Sequence, residues 1–309
     1  MTTSDTHTGK LRSMAAGPEV SRCGIVALAG DPNAGKSTLL NALVGERLAI
    51  TSPKPQTTRV PVHGLVTEGD TQVLFTDPAG LITPAYPLQR AMRRAAVQVI
   101  EEADLILHVH PLARHPAPSL ETLLPEARAL PANRIVAYTK ADLVPAADRP
   151  RTGEDAVAVS AVTGEGVDAL RERVRRLLPE GPFLYDPDDV GTQPLRFFAA
   201  EFIREAVFAE LRQELPYAVA VQIDAFREEE TGVYIRATLA VERESQKPIV
   251  LGKGGRTIKT VGTAARERIA AFLGRRVHLD LWVTVWPKWR SDPARLAQLG
   301  LPTFKEKGP

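Results

Sequence analysis

The eight residues Gly30-Asp31-Pro32-Asn33-Ala34-Gly35-Lys36-Ser37 follow directly on the apolar stretch CGIVALA (23–29) and open a helical pattern at 36–44. They fit G-x-x-x-x-G-K-[ST] between a strand and a helix, the setting in which this pattern forms a phosphate-binding loop. The glycines let backbone N–H groups turn inward, and the helix N-terminus adds its partial positive charge. Lys36 would neutralise the β- and γ-phosphates, and Ser37 would ligate Mg²⁺, with Thr38 beside it. A loop held at the end of a strand in this way commits the chain to a mostly parallel sheet with helices on both faces.

The rest of the first half agrees with that architecture. Further strands are predicted at VLFTD (73–77), DLILHVH (104–110), RIVAYTK (134–140) and AVAVSA (156–161), and helices at 88–102, 119–130 and 166–178. The segment 60–66 is expected to pair antiparallel with 71–76 through the Glu68-Gly69-Asp70 turn. A Pro, Gly and Asp cluster at 179–194 reads as a linker. Beyond it the pattern becomes α-β-β-α-α-β: a helix at 196–215 ending before Pro216, strands at 218–226 and 233–242, a Gly-rich turn inside a helical pattern at 249–273, and a strand at 277–286. The expected organisation is a tail at 1–20, a nucleotide domain at 21–178, the linker at 179–194, a small α+β domain at 195–290 and a tail at 291–309.

Strand ends after the phosphate loop carry the remaining nucleotide chemistry. Asp77-Pro78-Ala79-Gly80 fits D-x-x-G: Asp77 would hold Mg²⁺ through a water, and the Gly80 N–H would report the γ-phosphate, with Leu81 following. The Pro-rich loop 51–59 (TSPKPQTTR) would order when a threonine hydroxyl reaches the metal; Thr58 is the first choice and Thr57 the alternative. At Thr139-Lys140-Ala141-Asp142 the carboxylate can accept from guanine N1–H and the exocyclic amine, donors that adenine lacks, which favours GTP over ATP. Lys140 would lie along the base, and Ser160-Ala161 would offer a backbone N–H to guanine O6. His108 and His110 lie two apart on one strand face, but no third ligand with matching spacing accompanies them, so no metal is expected there.

Charge separates the two halves. Residues 1–194 hold 20 Lys+Arg against 23 Asp+Glu, whereas 195–309 hold 19 against 14; 247–290 alone has ten basic side chains against Glu267 and Asp280, a local excess of +8. Such a cluster is either a solvated face or the footprint of a polyanion. Within it, Gly252-Lys253-Gly254-Gly255 matches the G-x-x-G turn of K-homology (KH) domains, where glycine admits a nucleic-acid backbone and lysine supplies charge. Arg256, Lys259, Arg275 and Arg276 are candidate phosphate contacts, and Trp282, Trp286 and Trp289 candidate stacking rings, with packing the alternative for the first two. A composition of 44% hydrophobic and 25% charged residues is that of a globular protein, and no run approaches 18 apolar residues. One cysteine, Cys23, and a polar start without an apolar core suggest a cytosolic chain with a disordered tail at 1–20.

The stretch GDPNAGKSTLLNALVGERLAITSPKPQTTR and the later GTAARERIAAFLGRRVHLDLWVTVWPKWR resemble the Era family of translation-factor-like GTPases. The resemblance implies hydrolysis of GTP to GDP and phosphate, a type II KH domain, binding near the 3′ end of 16S ribosomal RNA, a role in 30S subunit assembly, and a monomer with peripheral contact at the inner face of the cell membrane. Leu81 stands where Ras-like enzymes keep a water-positioning glutamine, which implies slow intrinsic turnover. The family's D-T-P-G appears here as Asp77-Pro78-Ala79-Gly80, and its N-K-x-D has Thr139 in place of asparagine. Against this stand a non-hydrolysing RNA-binding factor with a degenerate nucleotide domain, and a P-loop ATPase.

Overall fold

The computed structural model describes residues 21–302; the tail expected at 1–20 and positions 303–309 lie outside the described residues. The first part is a six-stranded sheet of order β2-β3-β1-β4-β5-β6. Its strands are β1 (Arg22–Ala29), β2 (Val62–Glu68), β3 (Thr71–Asp77), β4 (Leu105–Pro111), β5 (Arg134–Thr139) and β6 (Ala156–Ala158). All neighbours are parallel except β2, which pairs antiparallel with β3 across the Gly69 turn, as the sequence predicts. Central strands are covered on both faces, so β1 buries Val26, Ala27, Leu28 and Ala29 in succession rather than in alternation.

Helices α1 (Lys36–Val44), α2 (Pro87–Glu101), α3 (Leu120–Leu123) and α4 (Val167–Leu177) cover this sheet. Pro87 opens α2, where its fixed φ suits the first turn, and Leu88, Ala91, Met92, Ala95, Ala96 and Ile100 form its buried stripe. The helix expected at 119–130 shrinks to α3: Pro125 has no N–H to donate, and its ring drives Leu124 to φ −130°, outside the helical region. The strand expected through 161 stops at Ala158, because Ser160 turns to donate its N–H to Glu165 O.

The second part is a three-stranded sheet of order β7-β8-β9, comprising β7 (Ala220–Glu229), β8 (Gly232–Val241) and β9 (Val277–Val285). One face carries α5 (Leu195–Glu210) and α8 (Arg256–Leu273), with the short α6 (Leu215–Ala218) and α7 (Lys247–Leu251) between elements. The helix predicted over 196–215 divides, since Leu211 is extended and Pro216 opens α6 rather than ending α5. Val233, Ile235, Ala237, Leu239 and Val241 point from β8 toward Val261, Ala265 and Ile269 of α8.

Two apolar clusters join the parts. One is continuous from Leu40, Leu48 and Ala49 to Phe198 and Phe202 of α5. The other packs Ala79, Leu88 and Met92 with Ala220, Ala240, Trp289, Leu296 and Leu301. The segment after 290 therefore contributes a helix, α9 (Pro293–Gln298), and two buried leucines to the joint. The segment 179–194 lies against the first sheet: the Leu65 N–H donates to Val190 O (3.0 Å), and Gln72 Oε1 accepts from the N–H groups of Leu184 and Tyr185.

Candidate nucleotide site and RNA-binding face

The phosphate loop, the end of β3 and the end of β5 meet at the C-terminal edge of the first sheet, where open α/β sheets bind ligands. A cavity of about 260 Å³ opens there, bounded by Pro32, Asn33, Gly35, Lys36, Ser37, Thr38, Thr57, Thr58, Gly80 and Lys140. Lys36 is 6% exposed and donates from Nζ to Gly30 O and Asp31 O, each at 3.1 Å. Burial pulls its pKa below the ordinary lysine value, against the pull of the Asp77 and Asp31 carboxylates.

Ser37, Thr58 and Asp77 converge. Asp77, fully buried, accepts on Oδ2 from Ser37 Oγ (2.5 Å) and Thr58 Oγ1 (3.2 Å), and the two hydroxyls lie 3.2 Å apart. Its Oδ1 has no hydrogen-bond partner. Burial raises the Asp77 pKa, while Lys36 and the two hydroxyls oppose the rise. A buried carboxylate oxygen without a donor, beside two hydroxyls and an ammonium, fits a hydrated divalent cation with phosphates. Of the two candidate threonines it is Thr58 that faces this cluster; Thr57 instead turns its carbonyl to Arg204.

The D-x-x-G segment rests on the phosphate loop. A Cβ on Gly80 would lie 2.7 Å from Pro32 N, so only glycine permits this approach, and the Leu81 N–H donates to Gly30 O (3.0 Å). Pro78 fills the turn between Asp77 and Ala79, and Ala79 packs into the joint with Trp289. The Leu81 side chain is buried with Ala27, Ala29 and Ile100, beneath the loop rather than in the cavity.

At the base end, Thr139 Oγ1 donates to Ala34 O (2.5 Å), tying β5 to the phosphate loop. Lys140, at φ 58°, reaches Asn33 O (2.8 Å). Asp142 Oδ1 accepts from Ser160 Oγ (2.6 Å), which fixes the carboxylate's orientation, while Ala141 N–H bonds Val159 O and Ala161 follows Ser160 in the same loop. Sequence reasoning missed Arg149, whose Nη2 donates to Ala141 O (2.8 Å) and braces this corner; nothing in its spacing marks it. His108, weighed in the sequence only as a metal ligand, is buried on β4 beside the His110 ring with Nε2 unpartnered and is held neutral, its pKa lowered to about 4 chiefly by burial.

A further omission spans the two parts. Arg59, 7% exposed, donates to Val219 O (2.8 Å), Tyr217 O (3.0 Å) and Pro216 O (3.3 Å), with its guanidinium over the Trp289 ring at 5.3 Å. Arg204 of α5 pairs with Glu201 (2.7 Å) and donates to Thr57 O. Lys54 donates to Phe208 O and to Leu211 O (2.7 Å). The available signal was two charged residues, Glu201 and Arg204, on the buried side of an apolar helix.

On the second part, Gly252 to Gly255 form the turn between α7 and α8. Gly252 is at φ 74°, and a Cβ there would lie 2.7 Å from Thr257 N. Lys253, Arg256 and Lys259 stand around it. Arg275 and Arg276 do not join them: 18 residues of α8 put them about 27 Å away, and Arg275 pairs with Glu228 (2.9 Å). Trp282 is 64% exposed, but Trp289 is a core residue whose Nε1–H donates to Ala218 O (2.9 Å), and Trp286 lies under Arg295.

A family model described as 50S ribosome-binding GTPase matches residues 25–140, and the KH domain model matches 214–290. GTPase Era of Bradyrhizobium sp. (strain ORS 278) is 40% identical over 296 residues, covering 93% of this chain and 96% of that protein. GTPase Era of Desulfovibrio desulfuricans is 42% identical over 300 residues, covering 91% and 97%. Among solved structures, a point variant of Aquifex aeolicus Era bound to GDP and AlF4⁻ superposes with a TM-score of 0.84 at 34% identity, covering 90% of this chain and 99% of that one. Era in complex with MgGDPNP and nucleotides 1506–1542 of 16S ribosomal RNA does so at 0.83 and 33%, covering 91% and 99%. With the phosphate loop and the G-x-x-G turn both in place, the chain belongs to the Era family of GTPases, a P-loop GTPase domain followed by a KH domain.

Proposed function

We propose that this protein is a GTP-driven switch on the 3′ region of 16S ribosomal RNA, acting as a cytoplasmic monomer on the 30S subunit precursor. The observation that carries the reading is the meeting of Ser37, Thr58 and Asp77 beside Lys36, on a loop whose neighbouring residues are bonded to the KH domain. Residues 30–38, 77–80, 139–142 and 160–161 would hold GTP, with Ser37 and Thr58 on Mg²⁺ and Asp77 behind a water. Bound Mg²⁺ supplies charge neutralisation at the β- and γ-phosphate oxygens. Lys36 places a cation on the same oxygens, the Gly80 N–H registers the γ-phosphate, and Asp142 selects guanine. Leu81 is packed away and gives water no side chain to orient against, so intrinsic turnover is slow.

The division of labour follows 21–178 for the nucleotide and 195–290 for RNA, joined through 179–194. Lys253, Arg256 and Lys259 at the G-x-x-G turn contact the RNA backbone; Arg275 and Arg276 would touch a more distant stretch. The family resemblance extends the proposal to peripheral contact with the inner membrane face, although no helix among the described residues is long and apolar enough to cross a bilayer. GTP hydrolysis measured with and without an RNA copying the 16S 3′ end tests the reading. RNA stimulation abolished by Lys36→Ala is expected; RNA binding without phosphate release above the Lys36→Ala background would refute it.

A further inference from the structure

Thr58 reaches the metal-facing cluster from a loop whose own sequence gives it little reason to stay there. Residues 51–59 form no regular structure, with prolines at 53 and 55. What fixes the backbone on either side of Thr58 comes from the other domain. Immediately before it, the Thr57 carbonyl accepts from Arg204, which is 3% exposed and locked by Glu201 on the preceding turn of α5. Immediately after it, Arg59 enters the KH domain and donates to three carbonyls at the end of α6, a region where helix carbonyls lack intrahelical partners. Lys54 does the same at the end of α5.

We propose that Arg59 and Arg204 are positioning residues for GTP hydrolysis: through them the KH domain holds Thr58 Oγ1 against Asp77 and Ser37. This rests on the switch reading above and names the residues through which the two domains communicate. Burial and the neighbouring Arg204 draw the Arg59 guanidinium down to about 9, still charged at neutral pH, so the carbonyls it meets are what make its burial tolerable. A backbone held on both sides leaves Thr58 one short arc in which to move. A displacement of the KH domain would pull on both neighbours together.

The test uses the full chain. Arg59→Ala and Arg59→Lys are compared with wild type for steady-state GTP hydrolysis against Mg²⁺ concentration, with and without the RNA, and for affinity toward a fluorescent GDP analogue. Arg59→Ala should lower kcat about tenfold, raise the Mg²⁺ needed for half-maximal rate several-fold and remove RNA stimulation, while GDP affinity changes less than twofold. Arg59→Lys should recover part of each. Should Arg59→Ala misfold by circular dichroism, Lys54→Ala, at a half-buried position, should raise the Mg²⁺ requirement about threefold. Unchanged Mg²⁺ dependence with intact RNA stimulation in the folded variants would overturn the positioning role while leaving the switch reading in place. Absence of RNA stimulation in wild type would overturn both.

Discussion

Trp289→Ala offers a direct measure of how firmly the two domains are joined. Trp289 is fully buried in the cluster that Ala79, Leu88 and Met92 of the GTPase domain share with Ala220, Ala240, Leu296 and Leu301. Removing a buried Trp side chain costs about 3–5 kcal/mol in transfer and cavity terms. Its indole N–H also satisfies Ala218 O at 2.9 Å, and a buried carbonyl left unpaired adds about 1–3 kcal/mol unless water enters the new cavity. Ala218 O and the Arg59 guanidinium give an entering water partners on one side of the otherwise apolar cavity, so the total should fall near 4 kcal/mol, or roughly 6 °C in melting temperature for a chain of this length. Trp289→Phe keeps a ring and loses the N–H, and should cost about 2 kcal/mol. Differential scanning calorimetry supplies the transitions, and urea unfolding followed by circular dichroism supplies the free energies. A loss below about 1 kcal/mol for Trp289→Ala would refute the reasoning that the cluster is a packed joint.

Three further outcomes follow from the geometry. Asp142→Ala should weaken GTP by about 100-fold or more, from losing two charge-assisted hydrogen bonds, while ATP binding stays as weak as before; competition binding with both nucleotides reads the ratio, and retained GTP preference would remove Asp142 from base selection. Gly252→Ala, forced against Thr257 N at a positive φ, should strain the turn by about 1–3 kcal/mol and weaken RNA at least tenfold at unchanged GDP affinity; equal RNA affinity would show that the turn does not clamp RNA. His108 is held neutral in the folded state with its pKa near 4, below the ordinary value of 6.5, so the unfolded chain takes up the proton first and stability falls as pH drops through that window. Wild type should lose about 2 kcal/mol between pH 7 and pH 5 through this group, and His108→Phe should not; parallel slopes in urea titrations would contradict the assignment.

Local motifs were legible because their chemistry is local. Gly30 to Ser37, Asp77, Gly80 and Asp142 sit at strand ends, and strands are what apolar runs announce most clearly. Thr139 was legible as a departure from asparagine but not in its task, since its tie to Ala34 O spans 105 positions. The helix at 119–130 misled because its apolar spacing outweighed Pro125, and a missing N–H decides the matter. Charge density along the chain groups Arg275 and Arg276 with Lys253, which ignores the rise of the helix between them. Arg59, Arg204 and Lys54 stayed hidden for a deeper reason. Their partners are backbone carbonyls of another domain, and a carbonyl is the same acceptor whichever residue carries it, so no sequence pattern encodes the pairing.

The placement of Leu296 and Leu301 in the joint also orders events in time. A ribosome makes the chain from its N-terminus, and domains fold as units as they emerge. The last strand of the nucleotide domain ends at Ala158 and its last helix at Leu177, so that fold is complete while Trp289, Leu296 and Leu301 are still to be added. Until Arg204 and the carbonyls at 208–219 arrive, the nascent GTPase domain has nothing in the second part to hold the loop around Thr58. The finished joint therefore marks a protein whose synthesis has passed its RNA-binding domain, and the two domains begin to answer to each other only after the first has already folded alone.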